Sequence, residues 1–584
     1  MNCEEHSILG NLSTQLCKPH VVVGFSIFIF ACSLRVMLQR NMRSTKGNNT
    51  RLMTFWELPY PRGLPIIGNI HQMGNFPHVK LTEWSKQFGD FYRIKMGRYD
   101  ALVVNGHENI RNCLAKKSAA FAGRPPFETS KLIEEGLSIS FSNYSPEWER
   151  QKQCTIKALK LYTSGSDKRS TMEETVSSHA KQLAEDLINS ADQQGLVGDL
   201  HDTVIYSTTS VSSTICFGRS FTRQDPELKE FLRNFQSFDK AMGASQIINF
   251  WPFLKYFPVL GKSFRNLKTY MDQYWNFTLS MLEQHWDTYV PNNMRDLADC
   301  LWAQSNQVNS NGTAPRHTAN GATDELKPRH AMNGANGNGM THHNTNGDVT
   351  HSNGINGEPP TKINRQLTDQ QRRIAYGASD AFGAGFDTIS AMITWSIFYM
   401  AVFPEHQRKI REEIDRLETS MFSLRHHGDV CPYTQAWLYE VLRHISVSPL
   451  LVPHYTVKQV EVNGTMIPAG VVVLFNVANA DRDTRVWENP EQFEPERFLA
   501  RDPTTGGARV VASETSKILN WGAGKRRCPG AELSRHELFI YIANLVKLCY
   551  IEQAVEGIEP AIPWPCTPGI STKPKAFRVK VTQR

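Results

Sequence analysis

Cys528 follows three consecutive cations in the run Trp521-Gly522-Ala523-Gly524-Lys525-Arg526-Arg527-Cys528-Pro529-Gly530. Neighbouring positive charge and the N-terminus of a following helix both favour a thiolate over a thiol. The run reads as a loop in which Gly524 and Gly530 permit close approach, Cys528 takes the N-cap position and Pro529 the first turn. Pro529 has no N–H, so Gly530 and Ala531 are the expected donors to the sulfur. A soft anionic ligand fixed beside cations suits a haem iron that carries anionic propionates. A second group lies upstream, at Asp380-Ala381-Phe382-Gly383-Ala384-Gly385-Phe386-Asp387-Thr388. Asp387 and Thr388 set a carboxylate beside a hydroxyl, a pair able to relay protons as a general acid. Two glycines inside a helix cost about 1 kcal/mol each against alanine. That cost is explained if the helix must open, or must let a flat macrocycle and dioxygen approach.

Each group needs an element to hold it. After Cys528, Leu538, Ile542 and Leu545 with Phe539, Ala543 and Val546 give helical spacing on two apolar faces, which predicts a buried helix. Thr368 and Gln371 form a capping-box start. The helix they open should run to about Phe403, where Pro404 ends it, a length of about 50 Å. Trp148 and Lys152 share one helical face, as do Glu440 and Arg443, and Pro495-Glu496-Arg497-Phe498 adds a second arginine. Helices are expected over 81–88, 203–217 and 264–289, and strands over 91–94, 101–104 and 471–476.

The chain has 584 residues, 40% hydrophobic, with a net charge of +7. This is enough apolar content for a large core, and the mild charge, without zinc-finger spacing or a basic helix, excludes nucleic-acid binding. Eleven cysteines fall without CxxC pairs, which suits a reduced, cytosol-facing body. Residues 21–38, VVVGFSIFIFACSLRVML, span about 27 Å as a helix, close to the hydrocarbon core of a bilayer. Arg35, Arg40, Arg43, Lys46 and Arg51 lie at or beyond its end and only Lys18 closely before it, which places the N-terminus outside and the body on the cytoplasmic side. The expected organisation is therefore a lumenal tail and anchor over 1–40, a linker and proline-rich hinge over 41–65, and a catalytic domain over 66–584. Within that domain, residues 304–362 repeat Asn-Gly eight times with few apolar residues. Such a segment cannot bury enough surface to order itself, and a disordered insertion is expected. His342, His343 and His351 in it read as solvated side chains.

The cysteine run resembles the haem-binding loop of the cytochrome P-450 monooxygenases, F-x-x-G-x-R-x-C-x-G, with Trp521 in place of phenylalanine. Gly383-Ala384-Gly385-Phe386-Asp387-Thr388 is similar to that family's oxygen-activating motif. Glu440, Arg443 and Arg497 resemble the network that braces its cysteine loop. The finer likeness is to the aryl-hydrocarbon hydroxylase group, with the steroid 17-hydroxylase group next. It is carried by Gly123-Arg124-Pro125, Thr129-Ser130, Ile215-Cys216-Phe217-Gly218 and Phe382 through Thr388. The resemblance implies a mainly α fold, a helical bundle with a long central helix and small β-sheets, behind an N-terminal transmembrane helix. It implies haem b ligated by Cys528, with Trp148, Lys152, Ala384, His454, Trp521, Arg526 and Gly530 around it. Thr388 and Asp387 would direct protons. Phe141, Phe250, Asp380, Gly383, Ala384, Ser448 and Val452 would meet a small hydrophobic substrate. No dinucleotide fingerprint follows a strand, so NADPH electrons would arrive through a separate reductase, with cytochrome b5 as a further partner. Location in the endoplasmic reticulum membrane as a single-pass protein follows. Two other readings keep the haem: a peroxide isomerase or dehydratase that needs no reductase, and a non-catalytic haem sensor.

Overall fold

The computed structural model describes residues 52–134, 137–164, 166–198, 200–290, 293–310, 367–503, 506–554, 566–567, 569 and 571–584. The apolar run 21–38 and most of the Asn-Gly segment lie outside these residues. The helices that matter for the site are α1 (Pro77–Phe88), α2 (Pro146–Ser164), α3 (Ser166–Asn189), α4 (Leu200–Phe217), α5 (Pro226–Phe250), α6 (Pro258–Thr288), α7 (Leu297–Ser310), α8 (Asp369–Val402), α9 (Pro404–Asp415), α10 (Pro432–Ile445) and α11 (Ala531–Leu548).

Helix α8 is the axis. Thr368 caps it, its hydroxyl accepting from the Gln371 N–H while the Gln371 side chain answers the Thr368 backbone, as the capping box predicts. From Ile389 to Ala401 every residue is buried, so the helix is apolar on all sides because neighbours enclose it. It crosses α4 and α11, and Trp395, Phe398, Tyr399, Phe539 and Tyr541 fill the shared core. Among the described residues α8 is the one helix long and apolar enough to span a membrane, and its burial explains that composition.

The β-structure is small and peripheral. Strands β1 (Phe91–Met96), β2 (Tyr99–Val104), β3 (His454–Tyr455) and β4 (Val472–Phe475) form one sheet in the order β1-β2-β4-β3. The β2–β4 pair is parallel, from Ala101 opposite Val472 to Val104 opposite Phe475, and the other pairs are antiparallel. Near the C-terminus, β5 (Cys566–Thr567) and β6 (Lys573–Pro574) make a short hairpin beside α8.

Two expected boundaries shift. The folded body begins before residue 66: Met53 and Thr54 pair with Thr465 and Met466, and Phe55 and Leu58 enter the core. Apolar burial fixes these residues, overriding the polar composition around them. Residues 304–310 are not part of a disordered insertion, because α7 runs on through Ser310. Leu297, Cys300, Leu301 and Ala303 anchor its first turns in the core, and elongation from an anchored start is cheap.

Candidate functional site

The loop before α11 turns on Gly524, whose φ is +63° and whose absent Cβ would stand 1.8 Å from the Leu114 carbonyl oxygen. No other residue fits there. The Cys528 N–H donates to the Trp521 carbonyl at 2.8 Å, closing the loop. Helix α11 starts at Ala531 with Gly530 as its N-cap, so Cys528 lies two residues ahead of the cap and does not itself take that position, as the sequence suggests it would. Gly530 has ordinary helical-side geometry, and a Cβ there would touch the Cys528 sulfur at a normal 3.9 Å. Burial pushes the Cys528 thiol up, while the Gly530 N–H, Lys152 and Arg527 pull it down. By surface area the same thiol is exposed. The two agree if the sulfur faces an internal space, and it does: Cys528 lines a cavity of about 770 Å³.

The wall beside the sulfur is cationic. Helix α2 carries Trp148 and Lys152 one turn apart. The Trp148 indole donates to the Ile139 carbonyl at 2.9 Å, and the Arg526 guanidinium stacks 3.9 Å over its ring. Arg526 also clasps the carbonyls of Ala122, Ile139 and Ser142 at 2.7–3.0 Å. The Lys152 ammonium donates to the carbonyls of Lys525 and Arg527, the residues flanking Arg526, so it braces the cysteine loop. Burial and the nearby Arg526 charge bring Lys152 down to about 8. His454 joins the Phe121 carbonyl through Nδ1 at 2.6 Å, and burial with the charges of Arg124, Arg526 and Lys152 keeps its ring neutral. Arg124, which sequence reasoning left without a role, is buried, donates to the carbonyls of Ser140, Val452 and Pro453, and is brought down to about 9 by burial. Its only sequence signal is the Gly-Arg-Pro string.

Helix α8 lines the same cavity. Ala384 and Thr388 open into the cavity, and the Thr388 hydroxyl donates to the Ala384 carbonyl at 2.8 Å. The helix is continuous here, so the glycines do not mark a break. They make room for neighbours: a Cβ on Gly383 would lie 2.5 Å from the Tyr274 hydroxyl, and one on Gly385 2.8 Å from Ser212 Oγ. Asp387 pairs with Lys573 at 2.7 Å and accepts from Ser571 Oγ at 2.9 Å. Glu537 of α11 also lines the cavity, and burial pushes its carboxyl up to about 8.

Phe141, Asp380, Gly383, Ala384, Ser448 and Val452 all line the cavity, as does Trp521. Asp380 already has partners within the protein. It accepts from Ser138 Oγ at 3.0 Å and from the Ile139 and Ser140 N–H groups, and so ties the loop that carries Phe141 to α8. Burial nevertheless raises its carboxyl to about 6. Phe250 is outside the lining. It packs edge-on against Phe127 and Trp251 and over the β1–β2 turn at Gly97, where an aromatic side chain is satisfied by core contacts alone. Glu440, Arg443 and Arg497 meet as expected, away from the cavity. Arg443 grips both oxygens of Glu440 at 2.7 and 2.8 Å, and Arg497 reaches the same carboxylate at 3.1 Å.

The sequence profile of the cytochrome P-450 family matches residues 58–324 and 358–581. The chain is similar to cytochrome P-450 1A1 of Homo sapiens, 31% identical over 500 residues, covering 84% of this chain and 85% of the relative. It is 28% identical to cytochrome P-450 1A2 of Oryctolagus cuniculus over 538 residues, covering 90% of this chain and 91% of the relative. Among solved structures, a zebra fish cytochrome P-450 with progesterone superimposes with a TM-score of 0.65 at 24% identity, over 87% of this chain and 99% of that one.

Proposed function

The chain belongs to the cytochrome P-450 family, and on that premise we propose that it is a monooxygenase placing one oxygen atom from dioxygen into a flat, apolar substrate of aromatic or steroid-like type. The family uses haem b, with NADPH electrons supplied through a reductase. The donor set fits that group. Arg124 and Lys152 are buried cations with no carboxylate partner among the described residues, so the wall calls for anions such as propionates. The thiol beside that wall is a soft ligand with its own cationic support. Cys528 would hold the iron, Arg124, Lys152, Arg526 and His454 would face the propionates, and Trp521 and Gly530 would flank the sulfur. Bound haem supplies dioxygen activation, which thiolate donation favours.

The chain's own residues supply the rest. Thr388 places a hydroxyl at the cavity wall and Asp387 a carboxylate beside it, for proton supply. Phe141, Phe231, Phe235 and Phe277 give the cavity aromatic walls that exclude water and suit flat substrates. Exposed Leu64, Ile66, Phe253, Tyr256, Phe257 and Val259 lie on the two segments that meet at Gly97, which contacts Ile67 and Trp251. With the apolar run 21–38, this surface supports attachment to the endoplasmic reticulum membrane. A second cavity, of about 620 Å³, opens behind the cysteine loop between Lys160, Lys525 and Arg527 and suits docking of an acidic reductase domain or cytochrome b5.

The single observation behind the reading is that Cys528 and Thr388 line one and the same cavity. Reduction under carbon monoxide tests it: the haem-thiolate Soret band is expected, and Cys528→His should replace it with that of an imidazole-bound haem and abolish oxygenation. Unchanged oxygenation in that variant would refute the assignment. Turnover without reductase would favour the peroxide isomerase, and absence of NADPH consumption the sensor.

A further inference from the structure

The end of α6 meets the start of α7 through two buried acids. The Asp296 and Asp299 side chains are 0% and 2% exposed. Arg295 takes both oxygens of Asp299, at 2.7 and 3.1 Å. Asp296 accepts the Asp299 N–H at 3.1 Å and so caps α7. Its one ion pair among the described residues is with His285 of α6. That ring is held at both nitrogens: Nδ1 lies 3.0 Å from the Met281 carbonyl, and Nε2 lies against Asp296 Oδ2. A carbonyl and a carboxylate only accept. A neutral imidazole owns one N–H and can serve one of them; serving both takes the imidazolium. Charge gives the same answer, because two buried carboxylates need two cations and Arg295 is one. So does position. His285 stands in the last turn of α6, where the helix dipole favours a cation, and Asp296 heads α7, where it favours an anion.

We propose that His285 is a positioning residue whose second proton clasps α6 to α7, and that loss of this proton loosens the α6 wall of the cavity. A neutral ring that keeps its bond to Met281 turns a lone pair on Asp296. The buried carboxylate then lacks its partner and regains solvation only if the two helix ends part. Phe277 and Ser280, earlier on α6, line the cavity, and Phe277 stacks on Phe231 at 4.3 Å. The other titratable groups around the acids do not change charge near neutrality. Burial raises Tyr162 of α2, Cys216 of α4, Tyr289, and Cys300 of α7, the last to about 12. Lys168 of α3 donates to the Arg295 carbonyl. Burial opposes the charge on His285 and so does Arg295, but the hydrogen bond and charge of Asp296, with the Met281 carbonyl, hold the ring above the ordinary 6.5. The clasp is therefore complete below pH 6.5 and is lost as the pH rises through that higher value.

Hydrogen exchange of the haem-loaded enzyme tests this between about pH 6 and about pH 9.5, read as amide protection so that base catalysis of exchange is divided out. Protection over residues 281–288 and 295–300 should drop about tenfold along a one-proton curve, tenfold being one unit of linkage. Protection in α8 should show no matching change. Release of 4-phenylimidazole from the haem iron should quicken over the same interval. His285→Gln keeps a hydrogen bond for Asp296 but never a charge, and should stay at the alkaline level of the wild type throughout. Asp296→Asn removes the carboxylate that holds the proton, and its profile should also be flat. A step that survives in either variant would overturn the clasp. The wild-type profile decides even where a variant does not fold: without a step, the clasp is refuted. A step in exchange with no change in ligand release would overturn the link to the cavity wall.

Discussion

Glu537 has no hydrogen-bond or ion-pair partner among the described residues, and burial alone moves its carboxyl from 4.5 to about 8. The folded protein therefore holds a proton that the unfolded chain gives up. The resulting stability is complete below about pH 4.5 and is lost as the pH climbs to about 8, by at most about 1.4 kcal/mol per unit. Glu537→Gln keeps the shape without the titration. Its melting temperature relative to wild type should rise between about pH 5 and about pH 8, and a constant offset would show that the carboxylate has a compensating charge. Such a group illustrates what a sequence conceals. Cys528 and Thr388 were legible because residue type and local spacing carry their chemistry. Arg124, Glu537 and Ser571 owe their character to burial in the folded chain, with partners such as Val452 for Arg124 and Asp387 for Ser571 far off in sequence, and nothing in their immediate neighbours announces it.

At the scale of elements, the central helix was legible from its capping box and its stopping proline, and the structure agrees with both ends to within a residue. The purpose of its glycines was not, since Tyr274 and Ser212 arrive from other helices. The cysteine loop depends on one such contact. Gly524→Ala should cost about 1–3 kcal/mol, from backbone strain at positive φ and the collision with Leu114, and should lower haem content in parallel. Retention of full haem content would mean that the loop can be rebuilt around a methyl group. The Glu440 carboxylate serves two buried arginines at once. Its removal in Glu440→Ala strips Arg443 of its paired carboxylate in the core and leaves it only the charge of Asp481, and a loss of about 3–5 kcal/mol is expected in chemical denaturation.

For the molecule as a whole, the family match pauses between residues 324 and 358, within the Asn-Gly segment. Loop closure depends only weakly on length, about 0.6 kcal/mol per doubling, so deleting residues 325–357 should leave haem content and melting temperature nearly unaltered. A deletion variant that loses its haem would give the segment a structural duty. The chain's end is different. Strand residues 579–583 pair on one side with 549–553 and on the other with Leu196 and Val197, while Ser571 and Lys573 reach the middle of α8. A sheet begun by residue 196 thus waits for residue 579 to be finished. During synthesis from the N-terminus, that sheet and the contacts on Asp387 therefore stay unfinished until residues 571–583 have emerged. Truncation before residue 571 would leave the Asp387 carboxylate without its lysine and its serine, and the sheet without its middle strand.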